Sequence, residues 1–266
     1  MLPPGALLYI SLLFAIQVEV FPDLHQPHLM AGQIEQETCI SLKHSKCWSP
    51  HAELKTSREY GFGLGQITVT DRFNNFEIIK QMDSQLKTWE WSDRYNPQLQ
   101  LRALVVYNRH IYSSVKSLTN DPVDRIAFMY CAYNGGIGGL IKDRNICKGI
   151  VGCDPSKWFG NVEKHTYRNT KPVEGYKKSF FDINREYVYN ILKIRGPRYK
   201  EEWNNVQQAT MDRDSVVDSP VPGSGGSLPV VIVEERNATE TSNGTSSGKV
   251  PLGRGCAQNT ANSARQ

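Results

Sequence analysis

A carboxylate in line with an apolar stripe limits what this chain can build. Between Leu29 and Cys39, helical spacing stacks Met30, Ile34 and Glu37 over one another. An acid on apolar surface loses hydration of its charged form, so it can hold a proton near neutral pH and pass it to a leaving oxygen. Glu35 falls on a different face of the same helix and reads as a plain surface charge.

The same periodicity recurs downstream. Residues 72–90 and 96–117 read as helices, the second with Pro97 near its start, where a missing N–H costs nothing. Asn120-Asp121-Pro122 opens a further helix that ends at Gly135-Gly136. A last helix covers about 180–194, with Ile183, Tyr187, Ile191 and Ile194 on one side and Gly196-Pro197 as its stop. No run of alternating strand residues interrupts this pattern, so the fold class expected is mainly α. Between the first two helical stretches lies Tyr60-Gly-Phe-Gly-Leu-Gly-Gln-Ile67, whose glycines imply close backbone approach to a neighbour or unusual backbone angles. It lacks the Lys-Ser/Thr ending of a phosphate loop.

Three segments follow from this reading. Residues 1–24 hold a short apolar run that fits either a secretion signal or a buried first helix ended by Pro22 and Pro27, with a slight preference for the helix. Residues 25–205 form the main domain. From 206 to 266 the chain turns to Gly, Ser, Asn and Thr, a composition that buries too little to offset chain entropy and reads as a disordered tail. Leu228–Val233 is the one apolar patch there, a candidate docking strand for a protein partner. Asn237 and Asn243 stand in glycosylation-acceptor patterns.

A net charge of +4 suits approach to an anionic polymer, and no basic block interleaved with aromatics points to nucleic acid. By proximity, Cys39 pairs with Cys47 and Cys147 with Cys153 in an oxidising compartment. Cys39, His44 and Cys47 offer a zinc ion only three local ligands, so neither metal nor cofactor is expected.

Five fragments in order then resemble the lytic transglycosylases, whose catalytic domain shares the goose-type lysozyme fold. Glu37-Thr38 is similar to the family's Glu-Ser at the end of a helix, with threonine for serine. Trp48-Ser49-Pro50-His51-Ala52 and Ser57 resemble its aromatic-Asn-Pro-x-Ala and following serine. Gly63-Leu64-Gly65-Gln66-Ile67 resembles its Gly-Leu-Met-Gln-Ile, and Ala132-Tyr133-Asn134-Gly135-Gly136 its Ala-Tyr-Asn-Ala-Gly. Arg185-Glu186-Tyr187-Val188 resembles its Arg-x-Tyr-Val. The likeness spans about residues 25 to 195.

The resemblance implies cleavage of the β-1,4 bond between N-acetylmuramic acid and N-acetylglucosamine in peptidoglycan. Glu37 would be the single catalytic acid and then base, and the product would carry a 1,6-anhydro end. By the same likeness Ser57, Gly63, Gln66, Tyr133, Asn134 and Tyr187 would bind substrate beside it. Two alternatives stay open. One is a hydrolytic muramidase using a second carboxylate such as Glu59 or Asp71; the other is a non-catalytic wall-binding or virion structural protein. The setting implied is the bacterial cell wall or periplasm, reached by secretion or delivered by a phage.

Overall fold

The computed structural model describes residues 2–56, 59–173 and 177–217, the last four as helical backbone only. The fold is mainly helical with one small sheet. Helix α1 (Pro4–Val20) and helix α2 (Leu29–Thr38) lead into three short strands, β1 (Glu53–Lys55), β2 (Tyr60–Phe62) and β3 (Ile67–Val69). The rest is helical: α3 (Asn75–Lys80), α4 (Pro97–Ser114), α5 (Pro122–Gly135), α6 (Ile137–Lys148), α7 (Phe180–Tyr189) and α8 (Lys200–Val217).

Local chemistry sets most helix ends. The Asn96 side chain accepts from the Gln98 and Leu99 N–H groups at the start of α4, and Asp121 does the same for Val123 and Asp124 in α5. Ser179 and Asp182 form a reciprocal capping box on α7. The strands form an antiparallel sheet in the order β1-β2-β3, with Glu53 opposite Phe62 and Phe62 opposite Ile67. Their three-residue length hides any period-2 signal, which is why the sequence shows none.

Helix α2 lies at the centre. All ten of its residues are buried, polar ones included. Gly32 allows this: a Cβ there would sit 2.4 Å from the Gly196 nitrogen, so α2 meets the 196–199 turn backbone against backbone. A helix covered on every side must find partners for each polar side chain within the protein.

Several expectations need correction. Glu35 is not a surface charge; its exposure is 1%. Residues 72–90 form only the short α3 followed by a 3-10 turn, because Asp83 caps a new turn at Ser84–Leu86 rather than continuing the helix. Gly196-Pro197 does not end the last helix. The chain passes through a π-helical turn (Asn190–Arg195) and a 3-10 turn (Gly196–Tyr199) into α8, where Pro197 sits at a first-turn position that needs no N–H. The boundary expected at 206 therefore falls inside α8, where Trp203 packs edge-on against Phe14 of α1. Residues 218–266, with Leu228–Val233 and both glycosylation patterns, lie outside the described residues.

Residues 4–20 form a helix with Ile10, Leu13 and Phe14 in the core. Arg102 of α4 holds α1 through Glu19 at 3.0 Å and the Ser84–Leu86 turn through Asp83 at 2.8 Å. Disulfides join Cys39 to Cys47 and Cys147 to Cys153, and Cys131 is a buried free thiol. The first disulfide uses the sulfurs that zinc would have needed. No helix among the described residues is long and apolar enough to cross a membrane.

Candidate functional site

Glu37 leaves the last turn of α2 with no exposed surface. Its Oε1 accepts a 2.5 Å hydrogen bond from the Tyr187 hydroxyl on α7. That hydroxyl in turn accepts from the Gln33 amide at 3.2 Å, one helical turn before Glu37. The Gln33 carbonyl accepts from Asn108 Nδ2 on α4 at 2.7 Å. Four buried side chains from three helices thus form one chain ending on the acid. Burial, and then the nearby Glu37 charge, pushes the Tyr187 hydroxyl well above the usual tyrosine range, so it stays a neutral donor.

The glycine-rich segment forms the turn between β2 and β3. Gly63 (φ 76°) and Gln66 (φ 45°) both take left-handed backbone angles, which explains a glycine at the first position. The Gln66 amide donates to the carbonyls of Ala52 and Gly63, at 2.9 Å each. Gln100 on α4 clamps the other side: its oxygen accepts from Leu64 N–H at 2.9 Å, and its nitrogen donates to the Pro50 carbonyl at 2.9 Å. A shallow cleft enclosing about 10 Å³, room for about one water, opens here, lined by Gln66, Ile67, Thr68, Asn75, Tyr107 and Tyr133 among others.

Tyr133 links this cleft to the acid. Its hydroxyl donates to the Gly65 carbonyl at 2.7 Å, and its ring stacks parallel to Tyr187, with centroids 6.4 Å apart and planes 7° apart. Glu37 does not itself line the cleft; two tyrosine rings connect them.

The structure therefore brings Glu37, Tyr187, Tyr133, Gly63 and Gln66 into one connected region. Asn134 stands apart from that chain. Its carbonyl accepts from Asn184 on α7 at 2.8 Å, so it braces α5 against α7 rather than presenting that oxygen to a groove. Ser57 lies outside the described residues. Glu59 is buried just before β2, its backbone bonded to Thr56, and Asp71 is exposed beyond β3. Among the described residues no group of three His, Cys, Asp or Glu could hold a metal ion.

Three contributors escaped the sequence reading: Gln33, Asn108 and Gln100. Each is a polar residue at a helical position that packing makes fully buried. The available signal was spacing. Asn108 falls four residues after Leu104 and three before Ile111, inside an apolar stripe.

The chain matches no protein-family model, and no curated protein matches it.

Proposed function

We propose that this protein is a peptidoglycan lytic transglycosylase built on a lysozyme-like helical domain, with Glu37 as its one catalytic acid and base. The observation that carries the reading is the placement of Glu37: fully buried, held by a neutral tyrosine donor, and joined to a cleft through stacked rings. A buried carboxyl group beside a neutral donor is placed to exchange a proton with a leaving oxygen that reaches it.

The chemistry is one proton out and one back. Glu37 gives its proton to the glycosidic oxygen as the bond from C1 to that oxygen breaks, and the electron pair stays with the oxygen. The positively charged sugar centre is stabilised by its own acetamido group. The C6 hydroxyl oxygen then bonds to C1, and its proton returns to Glu37. No water is consumed, and the product is a 1,6-anhydro ring. Positioned proton transfer supplies about 10²–10⁴-fold of the rate, and alignment of the C6 hydroxyl must supply much of the rest. Gln66 and its backbone neighbours would hold the acetamido groups at the cleft edge. Glu37 is sealed from solvent, so Tyr133 or Tyr187 must give way as a strand binds.

The two disulfides suit an oxidising compartment, in keeping with work at the bacterial wall outside the cytoplasm. Glycan strands are the partner, and no cofactor enters the scheme.

Turbidity of isolated cell walls tests this directly. Wild type clears the suspension, whereas Glu37→Gln, still folded, clears it at least 10²-fold more slowly. Equal clearing by both removes Glu37 from the mechanism. Mass spectrometry of the released fragments shows anhydro ends; reducing ends would assign the chain to the hydrolytic muramidases instead.

A further inference from the structure

Helix α6 ends in a small closed loop. The Cys147–Cys153 disulfide ties its two ends, and Gly152, at φ 82°, turns the chain back. Between them Ile150 and Val151 stand outward. Val151 has no cover at all, and Ile150 and its neighbour Ile146 are more than a third exposed. Single exposed apolar residues are ordinary on a protein surface, but three gathered on one knob are not. The disulfide also keeps the knob from folding back to hide them.

The polar groups around the tip suit a place with little water. The N–H groups of Gly149, Ile150 and Cys153 donate to the carbonyls of Ile146, Cys147 and Ile150, at 3.0, 2.9 and 3.1 Å. Lys148 leads into the tip. Lys142, four residues before Ile146 and so on the same side of α6, lies over the exposed Tyr167 ring at 4.7 Å. Both lysines are exposed. The acids of this stretch are already engaged: Asp143 is buried between Arg168 and Arg185, and Lys157 meets Asp154 at 3.5 Å. The charge that α6 and its loop turn outward is positive.

We propose that this loop docks the protein on an anionic phospholipid bilayer, with Ile150 and Val151 entering the headgroup region and Lys142 and Lys148 meeting lipid phosphates. A bilayer surface takes up apolar atoms and pairs with cations in the same contact, and it accepts a tyrosine ring such as Tyr167 at headgroup level. A protein partner fits less well, because a stable interface buries about 800 Å² per partner and a convex two-residue tip offers little of that. The disulfide fixes the loop beforehand, so little ordering entropy is lost on contact. The contact is small, and binding through it is weak and reversible. None of this depends on Glu37.

Co-sedimentation of the full, oxidised chain with vesicles tests the docking. Wild type is expected to sediment with vesicles of equal phosphatidylglycerol and phosphatidylcholine, and far less with phosphatidylcholine alone. Val151→Asp, at a fully exposed position, should keep the thermal midpoint of wild type yet bind the mixed vesicles at least about tenfold more weakly, the effect of losing one buried apolar side chain. Lys148→Gln should weaken binding about fivefold, the effect of one basic charge near an anionic surface. Failure of wild type to sediment, as a loop built for a protein groove would show, overturns the proposal. So does binding by Val151→Asp equal to wild type, and equal binding to neutral vesicles removes the anionic surface as the partner.

Discussion

Glu35 and Glu37 leave the same helix two residues apart and point to nearly opposite sides, since each step turns the helix by about 100°. Both are buried, at 1% and 0% exposure. Their surroundings differ in kind. Glu35 meets the guanidinium groups of Arg195 and Arg198 and the Tyr199 hydroxyl, the last at 2.7 Å, and Trp48 donates to that hydroxyl at 2.9 Å. Burial pushes the Tyr199 hydroxyl up, as does the Glu35 charge, so it too remains a donor. Glu37 accepts from the Tyr187 hydroxyl, and its charge reaches Arg195. A buried carboxylate between two cations is a structural tie, whereas the Tyr187 hydroxyl brings Glu37 a donor without a charge. Asp143, between Arg168 and Arg185 at 3.0 and 2.9 Å, belongs with Glu35.

The largest effect that bears on this contrast is on stability. Glu35→Gln leaves two arginines facing a neutral amide in the interior, and is expected to cost about 3–5 kcal/mol in denaturant unfolding. Glu37→Gln, in the same assay, is expected to change stability by less than about 1 kcal/mol, because the Tyr187 hydroxyl can donate to the amide oxygen as it does to the carboxylate. If the two costs were reversed, the division of roles between the two acids would be wrong.

Next comes the end of the same helix. The Cys39–Cys47 disulfide closes a loop just beyond Thr38, whose hydroxyl accepts from Trp48 N–H at 2.9 Å. Replacing both cysteines by serine should cost about 2–3 kcal/mol by loop-closure entropy. Thermal unfolding of the paired variant measures it, and an unchanged midpoint would show that packing alone holds the loop.

A smaller effect separates the donors. Tyr187→Phe keeps the ring and its stacking but removes the hydroxyl, and should slow wall clearing about tenfold, or about 1.4 kcal/mol of barrier. Tyr199→Phe removes a hydroxyl of similar burial on the Glu35 side and should leave the rate within about twofold. Equal slowing in the two variants would erase the distinction between the sides.

The smallest lies at the start of α2. His28 is brought down from 6.5 to about 4, first by burial and then by Lys200 and His25. The folded state resists the proton that the unfolded chain takes up, so this contribution is present above pH 6.5 and is lost as pH falls toward 4. Because His28 is only half-buried, solvent screening reduces it to on the order of 1 kcal/mol. Wild type and His28→Gln should therefore converge in stability between those pH values, and parallel curves would count against the assignment.

Much of this was legible in the residues themselves. Pro97, Pro122 and Gly135-Gly136 mark helix ends that the structure keeps, and sequence proximity selects both disulfides. The alignment of Glu37 with Met30 and Ile34 needs only the 3.6-residue period. The same period misjudged Glu35, because one helix cannot tell how many of its sides a fold will cover. Residues 72–90 misled for a related reason: helical spacing persists there although Asp83 starts a new turn.

By itself, then, the sequence determined the local conformations and the identity of an acid on an apolar face, since both depend on neighbours within a few residues. Tertiary structure alone decided which donors each of the two acids meets. The deciding groups, Arg195, Arg198 and Tyr199 against Tyr187, arrive from 150 or more residues away. The close approach of Gly32 to Gly196 lets the first set lie against α2.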